Sequence, residues 1–512
     1  MDCHFSSLFL IASLFLLFLY GAARVFYSIW WRPKQLEKHL KMQGISGTPY
    51  RPLIADMKEF VKLISEAWSK PMNLNHQIVS RVDPFTLKNV NTYGKISMCW
   101  NGTTPRLIVK NPELMKEILS NKQGHFGKPY LNPLILILTK GITTLEGEDW
   151  SRRRRTLNPA FHLEKLKEML PVFSTSCNQM IEQWKRKPGP QGTFVLDIWP
   201  EFQRLSADVI SKAAFGSSYE EGKRIFELLK ELMTLVIEAM QTLYIPGFRF
   251  VPTKKNLRRK KLDKEIRSMV RNLIESKEDS MIVGEGKVDN LLGILLQANK
   301  ENNNYHMTME EVIEECKQFY LAGQETTSSL LTWTVIVLAM HPDWQEKARL
   351  EILEICKGEE PDFEALAHFK IINMITMEVL RLYPPAIAHY QHAYKETRIG
   401  HISLPAGVDV TLPTLLIHHD PELWGNDAEE FRPERFSEGV SRASKSSLAF
   451  FPFGWGPRTC IGQNFALIEA KIALAKILQN FSFKLSPSYI HAPYTVMTLQ
   501  PQHGAEIEFN RI

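Results

Sequence analysis

The chain opens on a stretch patterned unlike the rest. Residues 5–23 hold no charge and read FSSLFLIASLFLLFLYGAA. As a helix this run extends about 28 Å, close to the hydrocarbon thickness of a bilayer. Arg24, Tyr27, Trp30, Trp31, Arg32 and Lys34 follow. Interfacial aromatics with positive charge beyond them predict a single transmembrane helix that leaves the remaining chain cytosolic. A cleaved signal peptide is the alternative, since Gly21, Ala22 and Ala23 supply small residues. No basic segment precedes the run, however, and it is long for a signal peptide.

Beyond the anchor the pattern changes. A basic amphipathic piece, 33–42, precedes a turn-rich piece, 44–52. Strand-like stretches are expected at 96–100 and 106–109. After residue 112 apolar positions recur with helical spacing, predicting helices over 163–186, 225–240, 257–276, 308–339 and 344–356. Polar gaps at 186–192, 299–305 and 357–362 are short enough to be loops within one domain. Further strands are predicted at 397–404, 409–412, 482–485 and 495–499, and no internal repeat occurs. The expected organisation is an anchor (1–31), a basic linker and turn region (32–52) and one catalytic domain (53–512), mainly α with a minor β region.

The 308–339 helix has its own start signal, Thr308 with Glu311 three residues on, a capping box. It is long and apolar, as a helix crossing a core would be. Its middle reads Ala322-Gly323-Gln324-Glu325-Thr326-Thr327, where a local break facing a ligand is expected.

Charge adds little. Lys and Arg number 62 against 56 Asp and Glu, a net +6. That suits a membrane surface or an acidic redox partner and is too dispersed for nucleic acid. The six cysteines are scattered without a C-x-x-C pair, which argues against disulfide and zinc scaffolds. Asn101-Gly102-Thr103 matches a glycosylation pattern that a cytosolic placement makes fortuitous.

One cysteine stands apart. Phe451 to Gly462 reads FPFGWGPRTCIG, with Cys460 among Gly454, Gly456 and Gly462. A tight bend of this kind followed by a helix, predicted over 461–481, can present backbone N–H groups and a positive helix end to one sulfur. A lone thiolate so held is a candidate axial ligand for haem iron. Arg458 can pair with a haem propionate, and Gly462 permits close approach. A buried structural cysteine is the bland alternative, opposed by the full Phe453-x-x-Gly456-x-Arg458-x-Cys460-x-Gly462 pattern.

Three constellations accompany it. Glu378 and Arg381 share a helix face amid apolar neighbours, so a buried pair is expected, with Arg435 completing it. Glu325 and Thr326 supply an acid and a hydroxyl suited to proton delivery; an acid near a kink and two back-bonded threonines is the plain alternative. Trp150 and Arg154, four apart, can reach one carboxylate together. Arg152, Arg153 and Arg155 are expected to form a basic patch for an electron donor, or simply a solvated helix start. His418, His419, His389 and His392 lack carboxylates at metal spacing, and Gly284-Glu285-Gly286-Lys287 is too short for a phosphate loop. No dinucleotide fingerprint occurs, so electrons must come from another protein.

Taken together these residues resemble the cytochrome P-450 haem-thiolate monooxygenases along nearly the whole chain. Cys460, Phe453, Gly456, Arg458 and Gly462 match the haem signature; Glu378, Arg381 and Arg435 the structural triad; 322–327 the oxygen-activation stretch; Trp150 and Arg154 the propionate contacts. Arg32-Pro33-Lys34, 417–425 (IHHDPELWG), 486–489 (SPSY) and 491–495 (HAPYT) are similar to plant family 72, subfamily A. The resemblance implies the cytochrome P-450 fold, haem b, an NADPH-dependent reductase, and an endoplasmic reticulum anchor with the catalytic domain on the cytosolic face. A monomer in contact with membrane lipid and no nucleic acid is expected. It assigns Gly323 to the cofactor side and Ile135, Phe319, Ala322, Ala386, His389 and Val496 to the substrate pocket, with 240–244, Met497 and the membrane-facing Pro246-Gly247-Phe248 nearby.

The family usually carries a basic residue where Gln391 stands, so His392 takes over that contact or the contact is weaker. His389 and Tyr390 add polarity beside the pocket and favour a polar or acidic substrate, unless His389 only packs against a loop. The implied substrate is a plant terpenoid, such as the iridoids 7-deoxyloganic or loganic acid, hydroxylated or oxidatively cleaved. Triterpenoids, steroids and gibberellins are alternatives. A haem-thiolate isomerase or dehydratase and a non-enzymatic haem-binding protein are the rival classes.

Overall fold

The computed structural model describes residues 2–189, 192–217, 219–240, 247–282, 290–301 and 307–512. The described residues are mainly helical with small sheets. They group into two compact units. The expected turn at 284–287 and the positions 241–246 lie outside the described residues.

One unit comprises residues 1–65, 83–129 and 390–413. The apolar run forms a helix, Asp2–Phe26, that continues through a π-turn, Tyr27–Trp31, into Arg32–Lys41. Among the described residues this is the one helix long and apolar enough to cross a membrane, with mean hydropathy 2.1. Its basic end is held together by Glu37, which pairs with Lys34 and Lys41 at 2.8 Å each. A five-stranded sheet has the order Ile96–Asn101, Thr104–Val109, Asp409–Leu412, His389–Ala393, Phe126–Gly127. The first two strands are antiparallel, with Asn101 opposite Thr104. Gly102 takes φ +60° at the first of the two loop positions, as a type II′ hairpin requires. The Asn-Gly-Thr triplet therefore has a backbone reason to exist. Asp56 fastens the turn region to this sheet, accepting from Thr48 Oγ1 at 2.5 Å and Trp100 N at 2.7 Å.

The other unit comprises residues 66–82, 130–389 and 414–512. Its axis is the central helix, Met309–Met340, which starts at Thr308 with both bonds of the capping box. Residues 327–338 of it are buried, and the helix packs among Ile198–Ile210, Lys370–Leu382 and Gln463–Asn480. A three-stranded antiparallel sheet, Thr193–Asp197, Glu506–Arg511 and Phe481–Leu485, closes one side. Phe194, Phe481 and Phe509 pack with Trp184 there.

Four expectations need correction. The strand expected over 397–404 is a hairpin, Thr397–Ile399 against Ile402–Leu404. The helix expected over 163–186 is two, Leu163–Glu168 and Leu170–Lys185. Pro171 sits in the first turn of the second, because proline lacks the N–H that a continuous helix would need. The strand expected at 495–499 is a turn joining Pro493–Thr495 to Leu499–Pro501. The central helix is not broken at 322–327. Thr326 Oγ1 donates to Ala322 O at 2.7 Å and Ser328 Oγ to Gln324 O at 2.7 Å, so the hydroxyls fold back on the helix instead of opening it.

Glu469, in Gln463–Asn480, is fully buried and accepts from Ser206 Oγ at 2.7 Å. Its Oε2 has no partner among the described residues. Burial pushes the carboxyl up to about 8, so the folded protein keeps a proton that the unfolded chain releases near 4.5. This stabilisation is full below the unfolded value and is lost as pH rises through the folded one. Thermal unfolding of the full-length protein should therefore move to lower temperature as pH rises from about 5 to about 8, and Glu469→Gln should flatten that slope.

Candidate functional site

The cysteine loop is built by its own backbone. Cys460 N donates to Phe453 O at 2.9 Å, Gly454 N to Phe451 O at 3.0 Å and Thr459 N to Gly456 O at 3.1 Å. Gly454 and Gly456 hold φ +78° and +72°, the left-handed region a side chain rarely tolerates. Gly462 caps the helix Gln463–Asn480, so the sulfur faces a positive helix end. The Cys460 thiol is raised by burial, an effect opposed by the Gly462 N–H and the Arg154 charge. Cys99, Cys177, Cys316 and Cys356 are buried, whereas Cys460, deep among protein atoms, is exposed. A raised thiol is a poor nucleophile, but a cation bound at the sulfur would deprotonate it.

The surrounding residues fit a planar group carrying that cation. A Cβ built on Gly462 would meet only the Phe161 ring, at 3.9 Å. Phe161 stacks on Phe319 of the central helix, with ring centroids 5.7 Å apart. Three residues beyond Phe319 in this otherwise buried helix, Ala322 is exposed, and so is Thr326. Segment 385–389 closes another side. Leu499 N donates to Pro385 O, while Leu499 O accepts from Ser329 Oγ and Trp333 Nε1. His389 lies against the cysteine loop, its ring 6.2 Å from Phe451 and its Cε1 3.5 Å from a Cβ built on Gly454. Ala386, Val496 and Ile135 are half-buried, and Met497 and Met240 are exposed.

Two residues sit differently from expectation. Gly323 makes room for a neighbouring helix: a Cβ there would lie 2.7 Å from Ile210 Cγ1. Arg153 is not part of a basic surface patch; it is 2% exposed and pairs with Glu315 at 2.6 Å and Glu311 at 2.9 Å. Arg152 and Arg155 are exposed.

Trp150 and Arg154 lie in Gly147–Leu157, but they do not share one partner. The Arg458 guanidinium lies 4.5 Å over the Trp150 ring and pairs with Glu146 at 2.5 Å. Arg154 braces the loop by donating to Thr459 O at 2.8 Å. In the other unit, His392 Nδ1 is 2.7 Å from Asp409 and Gln391 is buried.

Behind the loop, Arg381 clasps Glu378 through Nε and Nη2 at 2.8 and 2.7 Å, and Arg435 Nε is 3.5 Å from Glu378. Arg381 also donates to the carbonyls of His418, Ala428 and Glu430. His418 extends this set to the cysteine loop: its Nδ1 is 3.2 Å from Arg381 O, and Phe451 N donates to its Nε2 at 3.2 Å. Those partners fix the tautomer, with Nδ1 protonated, and burial holds the ring well below its ordinary value.

On the central helix Glu325 is buried, raised by burial and 3.5 Å from Thr498 Oγ1. The Thr326 hydroxyl donates back to Ala322, so its lone pairs are what it offers outward. Sequence reasoning missed Phe161, His418, Glu146 and Thr498. None carries a spacing signal, because each acts on a partner distant in the chain.

A single loop cysteine, a positive helix end, flanking arginines and an open face against a long helix define a haem-thiolate protein. A family model, Cytochrome P-450, matches residues 69–509. Cytochrome P-450 CYP72A616 of Paris polyphylla is 52% identical over 491 residues, covering 94% of this chain and 95% of that one. Cytochrome P-450 72A397 of Kalopanax septemlobus is 50% identical over 497 residues, covering 96% and 95%. Secologanin synthase 1 of Catharanthus roseus is 47% identical over 511 residues, covering 98% and 97%. The chain belongs to the cytochrome P-450 family, in its plant 72A branch. It is accordingly a haem b monooxygenase of small molecules, supplied with electrons from NADPH by a reductase.

The Arg381 set makes one stability prediction. Glu378→Gln removes the charge that pairs two buried arginines and should cost about 3–5 kcal/mol. Urea unfolding of the variant should show that loss, together with reduced recovery of haem-loaded protein.

Proposed function

We propose that this protein oxidises a plant terpenoid, foremost an iridoid such as 7-deoxyloganic or loganic acid, by hydroxylation or oxidative ring cleavage. The observation that carries this reading is the 47% identity to secologanin synthase 1, sustained over 98% of the chain. The polar His389 beside the cysteine loop supports a substrate with a polar group.

In this reading Cys460 is the axial thiolate, and Phe453, Gly456 and Gly462 shape its loop. Arg154, Arg458 and Trp150 form the propionate side, while Glu378, Arg381 and Arg435 hold the frame. When bound, the haem supplies the centre at which dioxygen is activated with two electrons from the reductase. Residues of the chain position the substrate and move protons. Ala322 and Phe319, with Ile135, Ala386, His389 and Val496, place an apolar skeleton and exclude water. The Thr326 hydroxyl holds a proton at Oγ1 and accepts from the cleft through its lone pairs. Glu325, whose carboxyl burial raises above its ordinary value, lies beside Thr498 and supplies protons on this side of the helix. Residues 1–31 anchor the chain in the endoplasmic reticulum membrane. Residues 32–52 lie against the lipid, and 53–512 act as a monomer on the cytosolic face.

The reading is tested by supplying reductase, NADPH and dioxygen with a panel of iridoids, triterpenoids and steroids, then identifying products by mass spectrometry. An iridoid should gain one oxygen atom derived from dioxygen, or be cleaved. Turnover of triterpenoids alone would overturn the substrate assignment. Thr326→Ala should lower product formed per NADPH by about tenfold and raise hydrogen peroxide, with haem content unchanged and Thr326→Ser restoring most coupling.

A further inference from the structure

The segment that carries Ile135 has no regular structure between residues 131 and 146, yet its polar groups are not left to water. Five bonds tie it to four side chains on one stretch of the central helix. Thr139 Oγ1 and Thr143 Oγ1 each donate to Gln318 Oε1 at 2.6 Å. Lys140 N donates to Glu314 Oε2 at 2.8 Å, and Ile142 N to Glu315 Oε2 at 3.1 Å. Lys317 Nζ donates to Ile137 O at 3.0 Å.

These four side chains are themselves buried, Glu315 and Lys317 completely. Each charge is opposed. Glu315 and Glu311 meet Arg153, Lys317 meets Asp263 at 2.9 Å, and Glu314 meets Arg267. The contact is also close. A Cβ on Gly141 would fall 2.9 Å from Glu315 Oε2 and 3.0 Å from Gln318 Cβ, so only glycine lets the chain lie this near the helix. Buried bonds to carboxylates are among the stronger ones, and an irregular segment takes its conformation from them. The next turn of the same helix presents Phe319 and Ala322.

We propose that Gln318, seconded by Glu314 and Glu315, is a positioning residue that fixes segment 131–143 on the central helix and thereby sets the size of molecule the pocket accepts. The inference rests on the assignment of Ile135, Phe319 and Ala322 to the pocket. The strap itself rests only on the bonds above. Its logic is that a pocket wall without secondary structure keeps one shape because a neighbouring helix dictates where its amides point.

The test uses full-length, haem-loaded protein in detergent. Thr139→Val with Thr143→Val removes both hydroxyl donors at constant shape; Thr139→Ser with Thr143→Ser keeps them. Hydrogen exchange should accelerate by about tenfold at the amides of 137–143 in the valine pair, with 326–338 unchanged. The ratio of spectral Kd for 4-phenylimidazole to that for imidazole should move by about fivefold in the valine pair and by less than about twofold in the serine pair. Unchanged exchange at 137–143, or equal acceleration along the central helix, would overturn the strap. Faster local exchange with an unaltered Kd ratio would overturn its role in selectivity. If the wild type lacks a thiolate-type carbon monoxide spectrum, the Cys460 reading falls, and exchange alone decides the strap.

Discussion

A sulfur anion inside a protein must be compensated, because removing one charge from water costs several kcal/mol unless partners replace the lost solvation. The Cys460 loop is organised around that need. Its backbone closes through the Cys460 N–H to the Phe453 carbonyl, its glycines take turns no side chain would permit, and a helix begins three residues later. Protein partners alone do not hold the sulfur as an anion: burial still raises the thiol despite Gly462 and Arg154. A cation at the sulfur, as the proposed haem ligation supplies, would provide the missing compensation.

The loop is held from behind by a polar frame. Arg381 binds Glu378 with two bonds and three carbonyls with the rest of its guanidinium, and His418 passes this order to Phe451. Removing any one member leaves a buried charge or donor unpaired, so the set behaves as a unit. The central helix divides its work along its length. Its first turns carry buried charges that fasten the loop before them, its middle exposes Ala322 and Thr326, and its last turns are apolar core.

Features written in short spacings were legible in the sequence. The cysteine signature, the capping box at Thr308 and the Glu378–Arg381 pair each depend on residues close in sequence, and the N-terminal apolar helix is one uninterrupted run. What could not be read depends on distant partners or competing local bonds. Arg153 resembles a surface arginine until Glu315 arrives from the central helix. Thr326 sits in a stretch of poor helix formers, yet the helix runs on unbroken and the hydroxyl bonds back to Ala322. Gly323 suggested room for a ligand, and the room is taken by Ile210. The apolar period runs across Pro171, where the chain starts a second helix.

The central claim is that Cys460 ligates haem iron as a thiolate. The reduced, carbon monoxide-bound difference spectrum of the full-length protein, taken beside Cys460→Ser, tests it most directly. The account predicts the strongly red-shifted Soret band of thiolate ligation in the parent and its loss in the serine variant. A folded, haem-loaded parent without that band, or a serine variant that keeps it, would contradict the account.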